Sequence, residues 1–354
     1  MIPFVWSDTV LLHEPRHEVW VGRSTPASES PRRAGVIREA LLAAGHPELP
    51  AVEHEDAALT AVHEPGLLAW LRESAATWAD GPYLELVGQD RVLPYVFPTP
   101  MMTAGMPWRY PAAPHAQAGV WCYDTMTELG PGTWAAARAA VDVALTATDL
   151  VASGTAEAAY ALCRPPGHHA TPAGFGGSCY LNNAAIAAER LSALGRRVAV
   201  IDVDAHHGNG TQAVFWQRPD VFYGSVHIDP GAGWFPHIQG YADEVGAGPG
   251  AGTTLNEPLP PGAGDVQWVE AVARLAEAAI RFRADALVVS LGLDAADDDP
   301  ESPLRVTRNG YAGTGRLLAG LRVPTVLIQE GGYHLPTLGS LVADVLAGFG
   351  PWSE

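Results

Sequence analysis

The amino-acid sequence predicts one α/β domain, residues 1–354, built on a mostly parallel β-sheet with helices on both faces. Two features of its second half predict this fold. Continuous apolar runs alternate with helical patterns, as is typical of a parallel sheet covered on both sides. Ionisable residues follow several of these runs, and parallel sheets bind ligands at that edge. The length suffices for one large core, and we find no internal repeat or long polar linker.

The predicted helices have apolar residues at three- and four-residue spacing, and the predicted strands are continuous apolar runs. In chain order they are a helix over 180–195, strands over 196–204 and 220–229, a helix over 265–283, strands over 284–294 and 323–333, and a helix over 335–349.

The first half of the chain is less regular. Residues 81–119 are rich in proline, glycine and aromatic residues and lack periodicity. A loop of this length is commonly functional. We interpret it as an ordered insertion at the rim of the active site or at a subunit contact.

Charge and composition narrow the function. The formal net charge is −18, from 21 basic and 39 acidic residues, and every basic residue is an arginine. Nucleic-acid binding needs a basic face, so we expect no nucleic acid partner, whereas an acidic field attracts cationic small molecules. We see no signal peptide, and the most apolar segment, 284–296, is too short to span a bilayer. Three cysteines make no disulfide framework. We therefore expect a cytoplasmic protein without a membrane partner.

The ends of two predicted strands carry a candidate metal site. Asp204 and His206 follow one apolar run and are two residues apart, so in an extended chain they share a face. Asp294 ends a second run and could join them from a neighbouring strand. Two carboxylates and one imidazole leave a coordination position open, which suits a catalytic Zn²⁺ or another divalent first-row ion.

A proline- and glycine-rich loop presents an adjacent histidine pair, His168 and His169. Adjacent residues cannot easily both bind one ion, but a histidine held by a carboxylate or amide suits acid–base chemistry. Asp202 and Asn209 could be those partners; the alternative is a structural pair of loop histidines. Tyr333 follows two glycines, and its phenol could donate a hydrogen bond to a developing oxyanion.

Five motifs together resemble the histone deacetylase superfamily, which has the arginase/deacetylase fold. They occur in family order, at residues 164–170, 176–188, 202–212, 290–300 and 330–335. Two further segments, 132–150 and 235–262, resemble the bacterial acetylpolyamine amidohydrolase, or class II-like, branch.

The resemblance implies a role for each residue named above. It implies zinc ligands at Asp204, His206 and Asp294, active-site histidines at His168 and His169 with the partners Asp202 and Asn209, and a transition-state tyrosine at Tyr333. It also implies a structural K⁺ or Na⁺ near Asp202, Asp204, His206 and Ser225. Zinc is the family's usual metal, although Fe²⁺ or Mn²⁺ fits the same ligand types. His207 is then not a ligand.

The resemblance further implies a substrate tunnel above the metal, formed by Gly177, Ser178, Phe235, Trp234, Phe175 and His115. Many relatives have an aromatic residue where Ser178 stands, so we expect a wider tunnel or a wall shifted to Phe175. His115 lies in the stretch where the amidohydrolase branch has a carboxylate for the distal ammonium of a polyamine. The insertion 81–119 resembles one that mediates dimerisation, so we expect a homodimer.

We therefore expect an enzyme that removes acetyl or other short acyl groups from a small amine, a polyamine or an acyl-lysine. A metal-activated water would attack the amide carbonyl. One alternative is a two-metal ureohydrolase of the arginase type, but it needs a further carboxylate where this chain has Gly208. The other is a non-catalytic binder of acetylated ligands, which predicts a broken ligand set that we do not find.

Overall fold

An eight-stranded sheet forms the centre of the protein in the computed structural model, which describes residues 1–350. The sheet has the order β4-β1-β5-β10-β9-β6-β7-β8, and all of its ladders are parallel. β2 and β3 form a separate antiparallel hairpin. The strands are β1 (Phe4–Trp6), β2 (His17–Trp20), β3 (Arg23–Pro26), β4 (Glu48–Pro50), β5 (Ala158–Ala161), β6 (Val198–Asp202), β7 (Val221–Ile228), β8 (Thr254–Leu259), β9 (Ala286–Leu291) and β10 (Thr325–Gln329).

Helices cover the sheet. α6 and α7 pack together against β5, β6, β9 and β10, and α9 packs against β6, β7 and β8. α10 packs against α9, α11 packs against α10, and α1 packs against α11. The helices are α1 (Pro31–Ala43), α2 (Ala57–Thr60), α3 (Pro65–Thr77), α4 (Pro100–Thr103), α5 (Pro114–Trp121), α6 (Thr133–Ala152), α7 (Asn183–Ala193), α8 (Asn209–Phe215), α9 (Asp265–Phe282), α10 (Arg308–Ala319) and α11 (Leu335–Leu346). In the described part of the chain, no helix combines the length and apolar character needed to cross a membrane.

The predicted α/β fold is confirmed, and the predicted strands end earlier than expected. The strand predicted over 196–204 ends at Asp202, so Asp204 and His206 lie in the following loop and not on the pleat of a strand. Strands β1, β4 and β5 have only three or four residues. Such short strands carry too little pattern to be predicted.

The order of the strands explains where the site forms. β5, β10, β9 and β6 are consecutive neighbours in the sheet. Since all four strands are parallel, their carboxyl ends lie at the same edge of the sheet. The loops after them carry, in that spatial order, the histidine pair, Tyr333, Asp294, and Asp204 with His206.

Candidate metal centre and active site

Asp204, His206 and Asp294 meet at the carboxyl edge of the sheet, and their ligand atoms lie within 4.8 Å of one another. The Nδ1 atom of His206 is 3.0 Å from Asp294 Oδ2 and 3.5 Å from Asp204 Oδ1. Both carboxylates are 1 % exposed. Burying two carboxylates beside one imidazole is costly without a further cation, and two oxygens with one nitrogen are ligands that a catalytic zinc accepts. The three residues therefore fit a divalent ion.

Backbone amides hold the two carboxylates in place. Asp204 Oδ2 accepts a hydrogen bond from Gly331 N at 2.8 Å, and Asp294 Oδ1 accepts one from Ala205 N at 2.7 Å. A Cβ atom at Gly331 would lie 2.5 Å from oxygens of both carboxylates. Only glycine can therefore bring the backbone this close to the site.

The histidine pair is held by two different partners. His168 Nδ1 lies 3.1 Å from Asp202 Oδ2, and His169 Nδ1 lies 2.8 Å from Asn209 Oδ1. Burial lowers the pKa of His168, but the charges of Asp204 and Asp202 outweigh it and raise that pKa to about 10. Burial and the neighbouring His168 lower the pKa of His169 well below its ordinary value. The pair therefore combines one cationic and one neutral imidazole.

Glu330, the last residue before the two glycines, holds the backbone of the loop that carries the histidine pair. Its Oε2 accepts hydrogen bonds from Gly167 N at 2.7 Å and His168 N at 3.2 Å, and its Oε1 accepts one from Ser290 Oγ at 3.0 Å. Burial raises its pKa to about 7. The end of β10 thus fixes the backbone of the histidine pair.

Tyr333 stands on a turn that two groups support. Asp299 Oδ2 accepts hydrogen bonds from the backbone N–H groups of Tyr333 at 2.6 Å and His334 at 3.1 Å. The Arg33 guanidinium lies 4.6 Å from the centre of the Tyr333 ring, and its Nε donates to Gly332 O at 2.6 Å. The buried Asp299 carboxylate therefore holds this turn.

Arg33 belongs to a buried cluster of charged side chains that no pattern in the sequence indicates. Glu29 lies between Arg33, at 2.9 Å, and Arg164, at 2.8 Å, and all three side chains are at most 3 % exposed. Buried charges persist only when they are paired in this way. The cluster joins α1, the loop after β5 and the tyrosine turn.

A cavity of about 640 Å³ borders this site, lined among others by Tyr123, Asn209 and Phe235. The Phe235 ring meets the His169 ring edge-on, with centroids 4.7 Å apart. A Cβ atom at Gly177 would lie 2.4 Å from the His169 ring and 3.0 Å from the Phe235 ring, so the backbone of Gly177 lies against both. Phe97, from the segment 81–119, also lines the cavity.

The structure does not bring four of the predicted tunnel residues to this cavity. Phe175 is 1 % exposed and stacks between Trp70 and Tyr180 in the core, so the expectation of a wall shifted to Phe175 is wrong. His115 is buried, and its ring meets Tyr83 edge-on. Trp234 packs against the core next to Phe235 in the chain. Ser178 is half-buried, with its N–H donating to Thr127 Oγ1 at 2.9 Å.

Two remaining positions from the sequence analysis, Ser225 and Gly208, lie next to Asp202. Ser225 pairs with Asp202 across the β6–β7 ladder, and its hydroxyl lies 2.8 Å from His227 Nδ1. At Gly208 a Cβ atom would lie 2.2 Å from Asp202 Oδ2 and 2.7 Å from the Tyr223 hydroxyl. The extra carboxylate of an arginase-type second metal therefore has no room there.

Comparison with known proteins agrees with this geometry. Residues 27–349 match the histone deacetylase domain. The chain is 39% identical to the acetylpolyamine amidohydrolase of Mycoplana ramosa, covering 97% of this chain and 98% of that protein. It is 40% identical to the acetylpolyamine amidohydrolase of Burkholderia pseudomallei, covering 96% of each. A crystal structure of an acetylpolyamine aminohydrolase from Burkholderia pseudomallei superposes with a TM-score of 0.92, at 39% identity over 99% of both chains. The chain belongs to the histone deacetylase family and is a hydrolytic deacetylase.

Proposed function

We propose that this deacetylase is a zinc-dependent amidohydrolase that removes the acetyl group from acetylated polyamines or related linear amines. The observation that carries the proposal is the position of three metal-ligand side chains beside two buried histidines, one held by Asp202 and the other by Asn209. The names of its full-length relatives support the polyamine substrate.

Asp204, His206 and Asp294 would hold the zinc ion. Such an ion supplies Lewis acidity, which polarises the amide carbonyl and acidifies water. Fe²⁺ or Mn²⁺ would serve with the same ligands. A K⁺ or Na⁺ near Asp202 and Ser225 completes the proposal for ions; Asp202 is fully buried and pairs with Ser225 across the β6–β7 ladder.

The chain's own residues move the proton. His169 donates its Nδ1–H to Asn209, which leaves Nε2 free to take a proton from the attacking water. The same imidazole then returns that proton to the leaving amine. His168, held cationic by Asp202, stabilises the negative charge that develops at the carbonyl oxygen.

Tyr333 donates a hydrogen bond to that oxygen. Burial raises the pKa of its phenol well above the ordinary value, so it carries its proton at neutral pH. A donor that acts only on developing charge contributes more to the transition state than to substrate binding.

Replacing Tyr333 with phenylalanine should lower kcat about 10²–10³-fold, as loss of an oxyanion donor does. KM and the zinc content should stay close to wild type, because the ring and its contact with Arg33 remain. Steady-state kinetics with an acetylated diamine and metal analysis of the same sample measure both. Wild-type turnover by this variant would rule out the assigned role.

The net charge of the protein favours a cationic substrate. With 21 basic and 39 acidic residues, the formal net charge is −18. An acidic field of this kind attracts cationic small molecules.

A panel of acetylated substrates, assayed with and without a chelator, tests the proposed function. We expect kcat/KM to be highest for acetylated linear diamines and polyamines, lower for an acetyl-lysine peptide, and lost for all of them with the chelator. Released acetate is the readout. Failure to hydrolyse any member after reconstitution with zinc or iron would contradict an enzyme and favour the non-catalytic binder.

The proposal includes a homodimer formed through the segment 81–119. The segment exposes large apolar side chains, including Met101, Met106 and Trp108. Exposed apolar surface of this kind is typical of interaction sites. Measuring the mass of the protein in solution tests the proposed homodimer.

A further inference from the structure

The aromatic ring that faces Phe235 across the cavity belongs to Tyr123. The two rings are nearly parallel, with an interplanar angle of 15° and centroids 6.5 Å apart. Both side chains line the cavity that borders the site. Tyr123 is 37 % exposed and Phe235 is half-buried, so neither ring is enclosed by the core.

Tyr123 is held in this position by the active-site loop itself. Its hydroxyl donates a hydrogen bond to the backbone carbonyl of His169 at 2.8 Å, and its N–H donates to Phe175 O at 3.1 Å. A Cβ atom at Gly176 would lie 2.2 Å from the Tyr123 ring. The ring is therefore fixed against the same glycine backbone whose next residue, Gly177, lies against Phe235.

Position 178 cannot supply a ring, because it is a serine, and Phe175 is committed to the core. We propose that Tyr123 forms the second aromatic wall of the substrate tunnel and determines which amines this deacetylase accepts. The inference rests on the proposed amide hydrolysis. It adds that Tyr123 selects substrates by the shape of the carbon chain attached to the amide nitrogen.

The spacing of the rings defines that selection. Carbon atoms in contact lie about 3.5–4.0 Å apart, so a chain between two rings needs a separation of roughly 7–8 Å. The ring centroids are 6.5 Å apart, so an unbranched methylene chain fits between the rings once they separate by roughly 1 Å. A chain branched next to the amide nitrogen would require a larger movement and would be excluded.

A chain-length series of singly acetylated linear diamines tests this role. Replacing Tyr123 with alanine should raise KM about tenfold for the longer members and leave kcat within about threefold of wild type, because the lost contact is with the methylene chain. The gain in kcat/KM with each added methylene should become smaller. The Tyr123→Phe variant keeps the ring and should retain wild-type KM values across the series.

A double variant tests whether the ring or its location matters. Adding Ser178→Phe to Tyr123→Ala returns a ring from the position that relatives use, and it should restore KM for linear substrates. Zinc content and the thermal unfolding midpoint of each variant verify that the site is intact.

Three outcomes are decisive. An active wild type with unchanged KM values in Tyr123→Ala would overturn the role of Tyr123 and leave the proposed function standing. An equal rise in KM in Tyr123→Phe and Tyr123→Ala would assign the effect to the hydroxyl that binds the His169 carbonyl. It would also contradict the proposed role of the Tyr123 ring as a wall of the tunnel. A wild type that hydrolyses none of the diamines would refute the proposed function.

Discussion

Replacing His206 with alanine should remove the catalytic metal and reduce amide hydrolysis to the level of chelated wild-type protein. His206 is the one nitrogen ligand of the proposed set, and its Nδ1 lies within 3.5 Å of both Asp204 and Asp294. Without it, two buried carboxylates remain, and two ligand residues would hold a divalent ion poorly in a site built for three. Metal analysis and acetate release measure the two effects on one sample.

The control is a histidine outside the site. His17 is exposed on the β2–β3 hairpin, so His17→Ala should retain metal and activity. Full metal occupancy and wild-type turnover in His206→Ala would mean that the ion is held elsewhere. Loss of metal with unchanged turnover would mean that hydrolysis does not depend on this centre.

The adjacent histidine shows why the ligand assignment needed more than a count of imidazoles. His207 is fully buried, with its Nε2 3.1 Å from Gln212 Oε1 and its ring against His227. Its side chain points into this network and not to Asp294. In the sequence, the two-residue spacing from Asp204 and the family resemblance both favoured His206 over its neighbour.

Ionisable residues directly after apolar runs could be predicted to meet, because parallel strands deliver their carboxyl ends to one edge. This reasoning succeeds for Asp204 and Asp294, although Asp204 lies beyond the end of β6 and not on its pleat. The prediction that these residues meet needs only that the strands are neighbours and parallel. It does not depend on the residue at which each strand ends.

Contacts between distant segments could not be predicted in this way. Arg33 reaches Gly332 across 299 residues of sequence, and Tyr123 reaches the His169 carbonyl across 46. No local period or spacing encodes such contacts, because they depend on how loops fold over the sheet. The error at Phe175 has the same origin: its neighbour in the chain is at the site, but its own ring turns into the core.

Replacing His169 with alanine should lower kcat about 10²–10⁴-fold while leaving the metal bound, because general base catalysis is lost and the ligands are untouched. The ring makes no hydrogen bond to Asp204, His206 or Asp294 in the described residues. Metal content and the unfolding midpoint serve as controls. A kcat equal to wild type would show that another group takes the proton.

The partner of His169 offers a sharper test of the same role. Asn209→Asp places a negative charge 2.8 Å from Nδ1 and should raise the pKa of His169 above its present lowered value. A base with a higher pKa stays protonated, and therefore inactive, to a higher pH. The acidic limb of the kcat/KM profile should then move to higher pH in Asn209→Asp, and Asn209→Ala should lower kcat without that displacement. An unmoved limb with normal turnover would mean that the protonation of His169 does not control the reaction, and the proton would have to be taken by His168 or by a group outside the pair.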